Sequence, residues 1–383
     1  MRSIGVDPAG IRIMAPKQFH YNLKVRDLSA PQANVIKQEM LSIGGEAAVA
    51  RGAASCSVEK SGAVLSGTLK QFNTLVDKLK YQSFGLPEVG ESIAAALENS
   101  RRRSYVFKGR TRQWELGKRT LIMGILNVTP DSFSDKGLFF DKAAAIQRAL
   151  EMVSEGADWV DVGGESTRPG ARPVEANEEL RRVMPVVEAL SKEGIAVSID
   201  TRKAIVAKEA LSAGAEAVND VSGLSDKEMA GVCAAFKAPV IIMHMRGTPE
   251  TMQKNVEYVD LISEIYDYLL DKVEYARASG IDAEGIMIDP GLGFGKSREG
   301  NLELIKNLRE FSSLGCPVLA GPSRKSFIGD TIGSGADITE RLAGTLAAAV
   351  ACVLNGAHVL RVHDVKEARQ AATMADAVNA AGL

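Results

Sequence analysis

The feature that most constrains the fold is a unit that repeats eight times from residue 120 to the end of the chain. Each unit begins with a short apolar stretch rich in β-branched residues, continues through a polar or glycine-rich corner, and ends in a helical stretch rich in Ala, Glu and Leu. Uniformly apolar stretches are typical of parallel strands covered on both faces. Eight such units in about 260 residues predict a (β/α)8 barrel. A doubly wound open sheet is the competing architecture, and the near-equal length of the units favours closure.

The sequence indicates where the barrel elements lie. The predicted strands are Thr120–Leu126, Trp159–Gly163, Ala196–Ile199, Ala217–Asn219, Pro239–Met243, Gly285–Ile288, Pro317–Ala320 and Val359–Val362. The predicted helices are Lys142–Glu155, Glu175–Lys192, Lys203–Ala213, Lys227–Phe236, Val259–Ala278, Asn301–Leu308, Thr339–Leu354 and Val365–Ala380. In a barrel of this kind the eight corners meet at the face where such enzymes have their active sites.

Residues 1–112 have a different pattern and predict a small α+β domain before a catalytic barrel at residues 113–383. The expected elements are strands at 20–25, 47–57 and 63–69 and helices at 31–43, 72–79 and 86–103, followed by a basic connector. Residues 1–110 contain 16 Lys and Arg against 9 Asp and Glu, whereas residues 111–383 contain 30 against 39. This front shows no metal spacing, phosphate loop or acidic cluster, so docking or support of an oligomer is favoured over a second activity, and plain appended structure is a further alternative.

The overall composition is ordinary for a globular protein, with 45% hydrophobic and 25% charged residues and a net charge of −2. The four cysteines lack C-x-x-C spacing, which indicates neither a zinc site nor a disulfide framework, and we expect them to be small buried residues. A charged, apolar leader and an apolar run near 18 residues are both missing from the sequence. We therefore expect a cytoplasmic protein without a membrane partner, and the net charge by itself argues neither for nor against nucleic acid.

Cationic residues gather in the last two corners. Lys325, Arg361 and His363 follow strands seven and eight, where barrels often bind phosphate. Arg offers a planar fork and Lys a compact charge, which suit phosphate or pyrophosphate oxygens. Gly321 keeps the backbone of this corner tight and Ser323 adds a hydroxyl. The alternative is a solvated loop with ordinary basic residues.

Acids and an amide end three other strands. Asp200, Asn219 and Asp289 stand where apolar stretches stop, and burying such groups is costly without a partner. Asp accepts N–H bonds and Asn both donates and accepts, so together they suit the edge of a flat heterocycle. For Asp200 and Asp289 a helix N-cap is an equally open alternative.

The glycine-rich corner after Asp289 matches no nucleotide motif. A P-loop would need glycine at Pro290, and a dinucleotide fingerprint starting at Gly291 would need glycine at Lys296. These glycines are better explained as allowing the backbone to approach a planar ligand, with Phe294 as an apolar wall. Met243 is expected in the pocket wall or in the core.

Two long polar loops follow strands one and two, at residues 127–140 and 165–173, and such loops often cover active sites. Asn127 offers an oxygen to a hard cation such as Mg2+, which keeps most of its waters and binds substrate phosphates. Asp135 would assist through water. His244 has no His or Glu at ligand spacing, so a transition-metal site is not expected.

These corners, in this order, resemble the dihydropteroate synthase family of folate biosynthesis. The resemblance covers about residues 118–383, and its hallmarks are Asn127–Ser134, Gly163–Gly170, Asp289–Lys296, Gly321–Gly329 and Arg361–Asp364. It implies a Mg2+-assisted, SN1-like condensation of 6-hydroxymethyl-7,8-dihydropterin pyrophosphate with p-aminobenzoate, which gives 7,8-dihydropteroate and pyrophosphate. It also implies small-molecule substrates, no nucleic-acid partner, and a homodimer formed through the barrel.

The resemblance assigns a role to each corner. The pterin would be held by Asp200, Asn219, Asp289 and Lys325; Arg361 would cover the ring and, with Asn127, His363 and Mg2+, bind the pyrophosphate. The p-aminobenzoate would lie near Thr167, Arg168, Pro169 and Ser323, with Phe133 and Asp135 closing the first loop over it. Lys136 departs from the family, which usually has glycine after the aspartate.

Three alternatives remain on the sequence alone. A pterin-binding methyltransferase shares the barrel but would not need the 321–326 run or the 165–169 loop. A non-catalytic pterin-binding barrel should have lost its charged corners, which are intact here. A Schiff-base aldolase needs a lysine within a strand, and the predicted strands contain none.

Overall fold

The computed structural model describes residues 1–129, 142–168, 170–333 and 338–381. The chain forms two compact units, residues 1–101 and residues 102–383. The division therefore lies at Arg101 rather than at residue 112, because residues 102–112 pack with the second unit.

The first unit is an α+β domain, as predicted. Its elements are α1 (Pro8–Met14), β1 (His20–Ser29), α2 (Ala30–Ser42), β2 (Glu46–Val49), β3 (Lys60–Thr68), α3 (Leu69–Leu79) and α4 (Leu86–Arg101). The strands form an antiparallel sheet in the order β1-β3-β2. Capping boxes begin α2 and α3: Ser29 with Gln32, and Thr68 with Gln71. Apolar residues of the sheet and of α2, α3 and α4 form one buried core.

One predicted strand of this unit is too long. The strand expected at 47–57 ends at Val49, and residues 51–56 form turns. The backbone N–H of Ala53 bonds to the carbonyl of Ala50, and that of Ser57 bonds to the carbonyl of Gly52. These local bonds replace strand pairing and leave Cys56 exposed, contrary to the expectation that the cysteines are buried. Cys233, Cys316 and Cys352 are buried as predicted.

The second unit begins with a hairpin and continues as alternating strands and helices. The hairpin is β4 (Tyr105–Lys108) and β5 (Gln113–Leu116). The later strands are β6 (Leu121–Asn127), β7 (Trp159–Gly163), β8 (Val197–Asp200), β9 (Ala217–Asp220), β10 (Val240–Met243), β11 (Ile286–Asp289), β12 (Leu319–Ala320) and β13 (Val359–Val362). The helices are α5 (Lys142–Ser154), α6 (Ala176–Lys192), α7 (Ala204–Ser212), α8 (Met229–Phe236), α9 (Leu261–Ala278), α10 (Arg298–Lys306), α11 (Ser326–Ile332), α12 (Leu342–Leu354) and α13 (Val365–Ala380).

The eight later strands form a barrel, which confirms the predicted fold. They pair in parallel in the order β11-β10-β9-β8-β7-β6-β13-β12. A parallel bridge between Ile288 and Val318 brings the two ends of this order together. The open-sheet alternative is therefore wrong. All eight strands and all eight helices expected in the barrel are present within a few residues of their predicted bounds, and α11 is an additional short helix.

The expected basic connector is largely the β4–β5 hairpin, which covers the amino-terminal end of the barrel. Phe107 and Leu116 are fully buried there in a cluster with Trp159, Met123 and other strand residues that line the barrel interior. The basic side chains at the end of β4 and in the turn after it bond to polar groups of the barrel. Arg110 donates to the carbonyl of Leu211 at 2.6 Å, Arg112 donates to that of Gly194 at 3.2 Å, and Lys108 pairs with Glu284.

Across the described ranges, none of the helices combines the length and the apolar character that a membrane span requires.

Candidate active site

Most residues predicted to form the site lie at or just beyond the carboxyl ends of the barrel strands. They are Asn127 (end of β6), Asp200 (β8), Asn219 (β9), Met243 (β10), Asp289 (β11), Phe294 (after β11), Gly321, Ser323 and Lys325 (after β12), Arg361 (β13) and His363 (after β13). Because parallel strands of a barrel end at one face, these side chains converge although they lie far apart in sequence. Phe133, Asp135, Lys136 and Pro169 lie outside the described residues.

The centre of the site is an ion-pair network around Arg361. Its Nε donates to Asp161 Oδ2 at 2.6 Å, and its Nη2 donates to Asp200 Oδ2 at 2.5 Å. Asp161 is fully buried and also accepts from Asn219 Nδ2 at 2.9 Å and from Ser198 Oγ at 2.5 Å. One arginine thus joins the ends of β7, β8 and β13, and fixes two carboxylates and an amide relative to one another.

Burial controls the charges of this network. Burial raises the pKa of Asp200 to about 7, against the opposing effect of Arg361. Burial by itself lowers the pKa of Arg361, but Asp161 and Asp200 outweigh it and raise that pKa above its ordinary value. Arg361 therefore stays charged, whereas Asp200 changes charge near neutral pH. The N-cap alternative for Asp200 is wrong, because the N-cap of α7 is Lys203 and the carboxylate of Asp200 pairs with Arg361.

Asp289 and Lys325 form a second charged group of the site. Asp289 is buried, its Oδ1 accepts from the N–H of Gly291 at 2.7 Å, and burial raises its pKa. It is not a helix N-cap, since Ser297 caps α10. The ammonium of Lys325 lies 3.8 Å from the ring centroid of Phe294, a cation–π contact. Burial and Arg361 lower the pKa of Lys325 to about 7.

The glycine corner, residues 289–296, packs closely against its neighbours in the protein. Gly291 has a φ of +75°, and a Cβ there would lie 2.0 Å from the carbonyl oxygen of His244. A Cβ on Gly293 would lie 2.7 Å from Cδ of Lys325. These glycines therefore admit His244 and the stem of Lys325. At Gly321 a Cβ would meet Arg361 Cβ at an ordinary 3.8 Å, so packing alone does not require glycine there.

His363 and Ser323 form a neutral pair beside the cations. Ser323 Oγ accepts from the backbone N–H of His363 at 3.1 Å and lies 3.0 Å from its Nδ1. Burial, Arg324 and Arg361 lower the pKa of His363 to about 3. His363 is therefore neutral. The expectation that it is one of the cations is wrong. With the Ser323 hydroxyl donating to Nδ1, the neutral ring carries its proton on Nε2.

The loop after β7 carries Thr167, which is partly exposed, and Arg168, which is exposed. Glu165 fixes this loop: it pairs with Arg202 at 2.7 Å and Lys203 at 2.5 Å, and accepts from the N–H of Val174 at 3.1 Å. The N–H of Gly170 bonds to the carbonyl of Pro249, in the loop after β10. Thr167 and Arg168 are thus more exposed than the buried network of Arg361.

Sequence reasoning missed three charged residues that organise the site: Asp161, Lys296 and Glu165. Asp161 interrupts an apolar strand, a signal that was visible in Trp159–Gly163. Lys296 is only 3% exposed, and its Nζ bonds within the glycine corner. Met243, which was expected in the pocket wall or in the core, is buried and packs with Phe294, Val221, Met245 and Met252 in an apolar cluster.

Asn127 has the chemistry for a magnesium ligand. It ends β6, is partly exposed, and pairs in register with Gly163 of β7. Within the part of the chain that the structure describes, no group of three His, Cys, Asp or Glu side chains has the geometry of a metal site. A single amide oxygen suits an ion that keeps its waters and binds chiefly through substrate phosphates. Asn127 thus fits Mg2+ bound with the substrate better than an ion held by protein alone.

A cavity of about 490 Å³ lies beyond the ends of β8, β9 and β10, and its lining contains no predicted site residue. Its hydroxyls already have partners: Tyr268 bonds to the carbonyl of Ser222, Ser225 to the same carbonyl, and Thr248 to Thr251. Buried charges converge at the strand ends rather than in this cavity, so the strand ends are the better candidate site.

Comparisons with known proteins agree with the barrel fold. The pterin binding enzyme family matches residues 123–363. Dihydropteroate synthase of Synechocystis is 48% identical over 267 residues, which are 69% of this chain and 92% of that protein. The solved Xanthomonas albilineans dihydropteroate synthase with 4-aminobenzoic acid is 42% identical, covers 72% of this chain and 99% of its own, and superposes with a TM-score of 0.68.

A longer relative extends the match to the first unit. A probable bifunctional folylpolyglutamate synthase/dihydropteroate synthase of Halobacterium salinarum is 41% identical over 373 residues, 97% of this chain, so most of residues 1–101 are matched. This chain spans only 44% of that protein. The barrel, its strand-end charges and these relatives together show that the chain belongs to the dihydropteroate synthase family of transferases.

Proposed function

We propose that the chain condenses 6-hydroxymethyl-7,8-dihydropterin pyrophosphate with p-aminobenzoate at the carboxyl face of its barrel, and releases pyrophosphate. The observation that carries this proposal is the buried network of Arg361 with Asp161 and Asp200. It supplies an acceptor edge, which is a row of fixed hydrogen-bond acceptors at the strand ends, and a permanently charged cation within one pocket. A pterin pyrophosphate presents the complementary groups: ring N–H donors at one end and phosphate oxygens at the other.

The acceptor edge suits the pterin ring. Asp289 has one oxygen held by the N–H of Gly291, which leaves Oδ2 for a ring donor. Asp200 and the amide of Asn219 extend the same edge, while Phe294 and Met243 supply apolar surface for a flat ring. Because the carboxylates are buried, their bonds to the ring would not compete with bulk water.

The leaving group would lie at the cationic side of the site. Arg361 and protonated Lys325 attract the pyrophosphate oxygens, and neutral His363 donates from Nε2. Asn127 would hold Mg2+, which neutralises charge on the departing pyrophosphate when bound. These groups stabilise charge that develops as the bond breaks, and therefore lower the barrier for that step.

The reaction follows from this division of roles. The bond between the pterin methylene carbon and the pyrophosphate oxygen breaks first, and its electron pair leaves with pyrophosphate. The electron-rich pterin carries the positive charge on the methylene in an SN1-like step. The aniline nitrogen of p-aminobenzoate then forms the C–N bond and loses its proton to solvent. No covalent enzyme nucleophile is needed.

The outer loop suits the second substrate. Thr167 and Arg168 lie on the loop after β7, and Ser323 lies beside the proposed leaving group. The guanidinium of Arg168 is exposed and suits the carboxylate of p-aminobenzoate. The solved relative from Xanthomonas albilineans contains 4-aminobenzoic acid, which supports this choice of second substrate. We further propose that the barrel forms a homodimer and that the enzyme works in the cytoplasm.

The proposal is tested by measuring pyrophosphate release and dihydropteroate formation with each component omitted in turn. We expect turnover only when pterin pyrophosphate, p-aminobenzoate and Mg2+ are present together. Binding of both substrates without dihydropteroate would overturn the proposal and favour a pterin-binding barrel without this activity. Lys325→Ala should lose far more activity than Lys136→Ala, because Lys325 lies in the buried charged group of the site.

A further inference from the structure

We propose that Lys296 is a positioning residue for the pterin end of the site, and that its ammonium fixes the glycine corner and, through it, Asp289 and Phe294. This inference rests on the proposed function only in that it takes a pterin as the ligand of that end.

The ammonium of Lys296 is the centre of a converging set of acceptors. Lys296 is 3% exposed, and its Nζ donates to the carbonyls of Gly291 at 2.8 Å and Phe294 at 2.9 Å. The third neighbour is His244 Nδ1 at 3.0 Å. Burial and nearby cations lower the pKa of His244 to about 2, so its ring is neutral, and opposite a protonated Lys296 its Nδ1 is the acceptor. Three acceptors thus surround one nitrogen, the number of bonds that a lysine ammonium donates.

The first link runs from Lys296 to Asp289 through Gly291. The carbonyl of Gly291 accepts from Lys296, and its N–H donates to Asp289 Oδ1 at 2.7 Å. Both polar groups of this one residue are therefore held, one by the lysine and one by the carboxylate. The carbonyl of Gly291 also accepts from the N–H of Phe294 at 3.2 Å. Without the lysine, Gly291 would keep this bond but lose its bond to a charged donor, and the donor to Asp289 would be held less firmly.

The second link runs from Lys296 to Phe294. The carbonyl of Phe294 accepts from Lys296. The ring of Phe294 packs in the apolar cluster that contains Met243, and it contacts the ammonium of Lys325. The rest of the glycine corner is tied to other elements: Gly293 N–H donates to Asn301, and Tyr258 donates to the carbonyl of Gly295. Lys296 is thus the contact that holds the part of the corner nearest the ligand.

The geometry suits lysine and no similar side chain. The three acceptors converge on a single point, whereas a guanidinium spreads its donors over a plane and is larger than the space around Nζ. A methionine of similar length would remove the lysine donor from the carbonyl of Phe294 and leave the carbonyl of Gly291 with only the N–H of Phe294, at a cost in free energy. Burial, together with Lys325 and Arg246, lowers the pKa of Lys296 to about 7, whereas Asp289 favours its cationic form.

The test compares Lys296→Met with Lys306→Met, because Lys306 is an exposed lysine on α10 and serves as the matched control. Equilibrium binding of the pterin pyrophosphate is measured by calorimetry without p-aminobenzoate, and KM is measured for both substrates. We expect Lys296→Met to weaken pterin binding and raise the pterin KM by about tenfold or more, with the p-aminobenzoate KM within about twofold. Lys306→Met should match the wild type.

If Lys296 had only a structural role, Lys296→Met would lower the melting temperature without weakening pterin binding more than p-aminobenzoate binding. A folded Lys296→Met variant that binds the pterin like the wild type, or that loses both substrates equally, would overturn the proposal. If Lys296→Met does not fold, His244→Phe removes one acceptor while keeping a ring against Tyr268, whose centroid lies 4.9 Å away. We then expect a smaller loss, about threefold, again confined to the pterin; an unchanged pterin affinity would overturn the proposal.

Binding is measured without turnover, so the two claims fail separately. If the wild type binds the pterin but forms no dihydropteroate, the proposed function fails, and a weakened Lys296→Met still supports the positioning role.

Discussion

Replacing Asp161 with asparagine tests whether this buried charge serves catalysis as well as stability. Asp161 lies in β7, is fully buried, and accepts from Arg361, Asn219 and Ser198. An amide of the same shape has one acceptor oxygen and turns an N–H2 group toward at least one of these donors. The substitution should therefore misorient Arg361, the cation that the account places at the leaving group.

The size of the effect follows from the bonds lost. A hydrogen bond to a charged group contributes about 1.5–3 kcal/mol. Since about 1.4 kcal/mol corresponds to a tenfold change, kcat/KM for the pterin should fall by roughly 10- to 150-fold. Breaking a buried ion pair by removing one charge also destabilises the fold, by about 3–5 kcal/mol.

Asp158, immediately before β7, is the matched control. It pairs with Arg119 at 2.5 Å, also contacts Arg369, and accepts from the N–H of Ile122 at 2.8 Å. This network lies at the amino-terminal end of the barrel, where residues serve stability rather than chemistry. Asp158→Asn should therefore lower the free energy of unfolding and leave kcat/KM within about twofold.

The assay is steady-state pyrophosphate release at varied pterin and saturating p-aminobenzoate, together with urea unfolding of both variants. Equal losses of kcat/KM in Asp161→Asn and Asp158→Asn would refute the reasoning, since catalysis would then follow stability alone. A fully active Asp161→Asn variant would refute it as well.

Three further predictions follow from the charges and from the unit boundary. Ionised Asp200 is needed to bind the ring and protonated Lys325 to bind the pyrophosphate, and both pKa values are about 7. Asp200 becomes protonated below that pH and Lys325 loses its proton above it, so kcat/KM for the pterin should peak near pH 7. A flat profile from pH 5 to 9 would contradict this. Glu165→Gln should loosen the loop after β7 and raise the KM for p-aminobenzoate several-fold with little change for the pterin, whereas equal changes would disconnect this loop from the second substrate. A chain of residues 102–383 should fold and turn over substrate, whereas 113–383 lacks β4 and its buried aromatic side chains and should fail to fold; circular dichroism and turnover of the two truncations decide this.

The barrel was predictable because its signals are local. Each strand shows as an apolar stretch, each corner as polar residues after it, and the parallel order follows from the alternation with helices. The β4–β5 hairpin was missed because its basic residues, such as Arg110 and Arg112, outweighed the alternation of Tyr105 and Phe107. Their partners are carbonyls and acids of the barrel, which lie far away in the sequence.

The site was predictable in residue types but not in pairings. The polar corners predicted Asp200, Asn219, Asp289 and Arg361 as site residues. Asp161, which joins Arg361 to Asn219, lies within β7 and not in a corner, so it was not predicted. The protonation of His363 also depends on burial and on neighbouring arginines, which only the fold brings together. Sequence patterns therefore identified the chemistry of the corners, and the folded chain determined which groups are charged.

The most direct test of the central claim is a crystal structure with dihydropterin pyrophosphate bound. We predict the pterin ring at the barrel strand ends, with its N–H groups donating to Asp200 and Asp289 and its pyrophosphate beside Arg361 and Lys325. A ring bound instead in the cavity of about 490 Å³ beside Tyr268 would contradict the account.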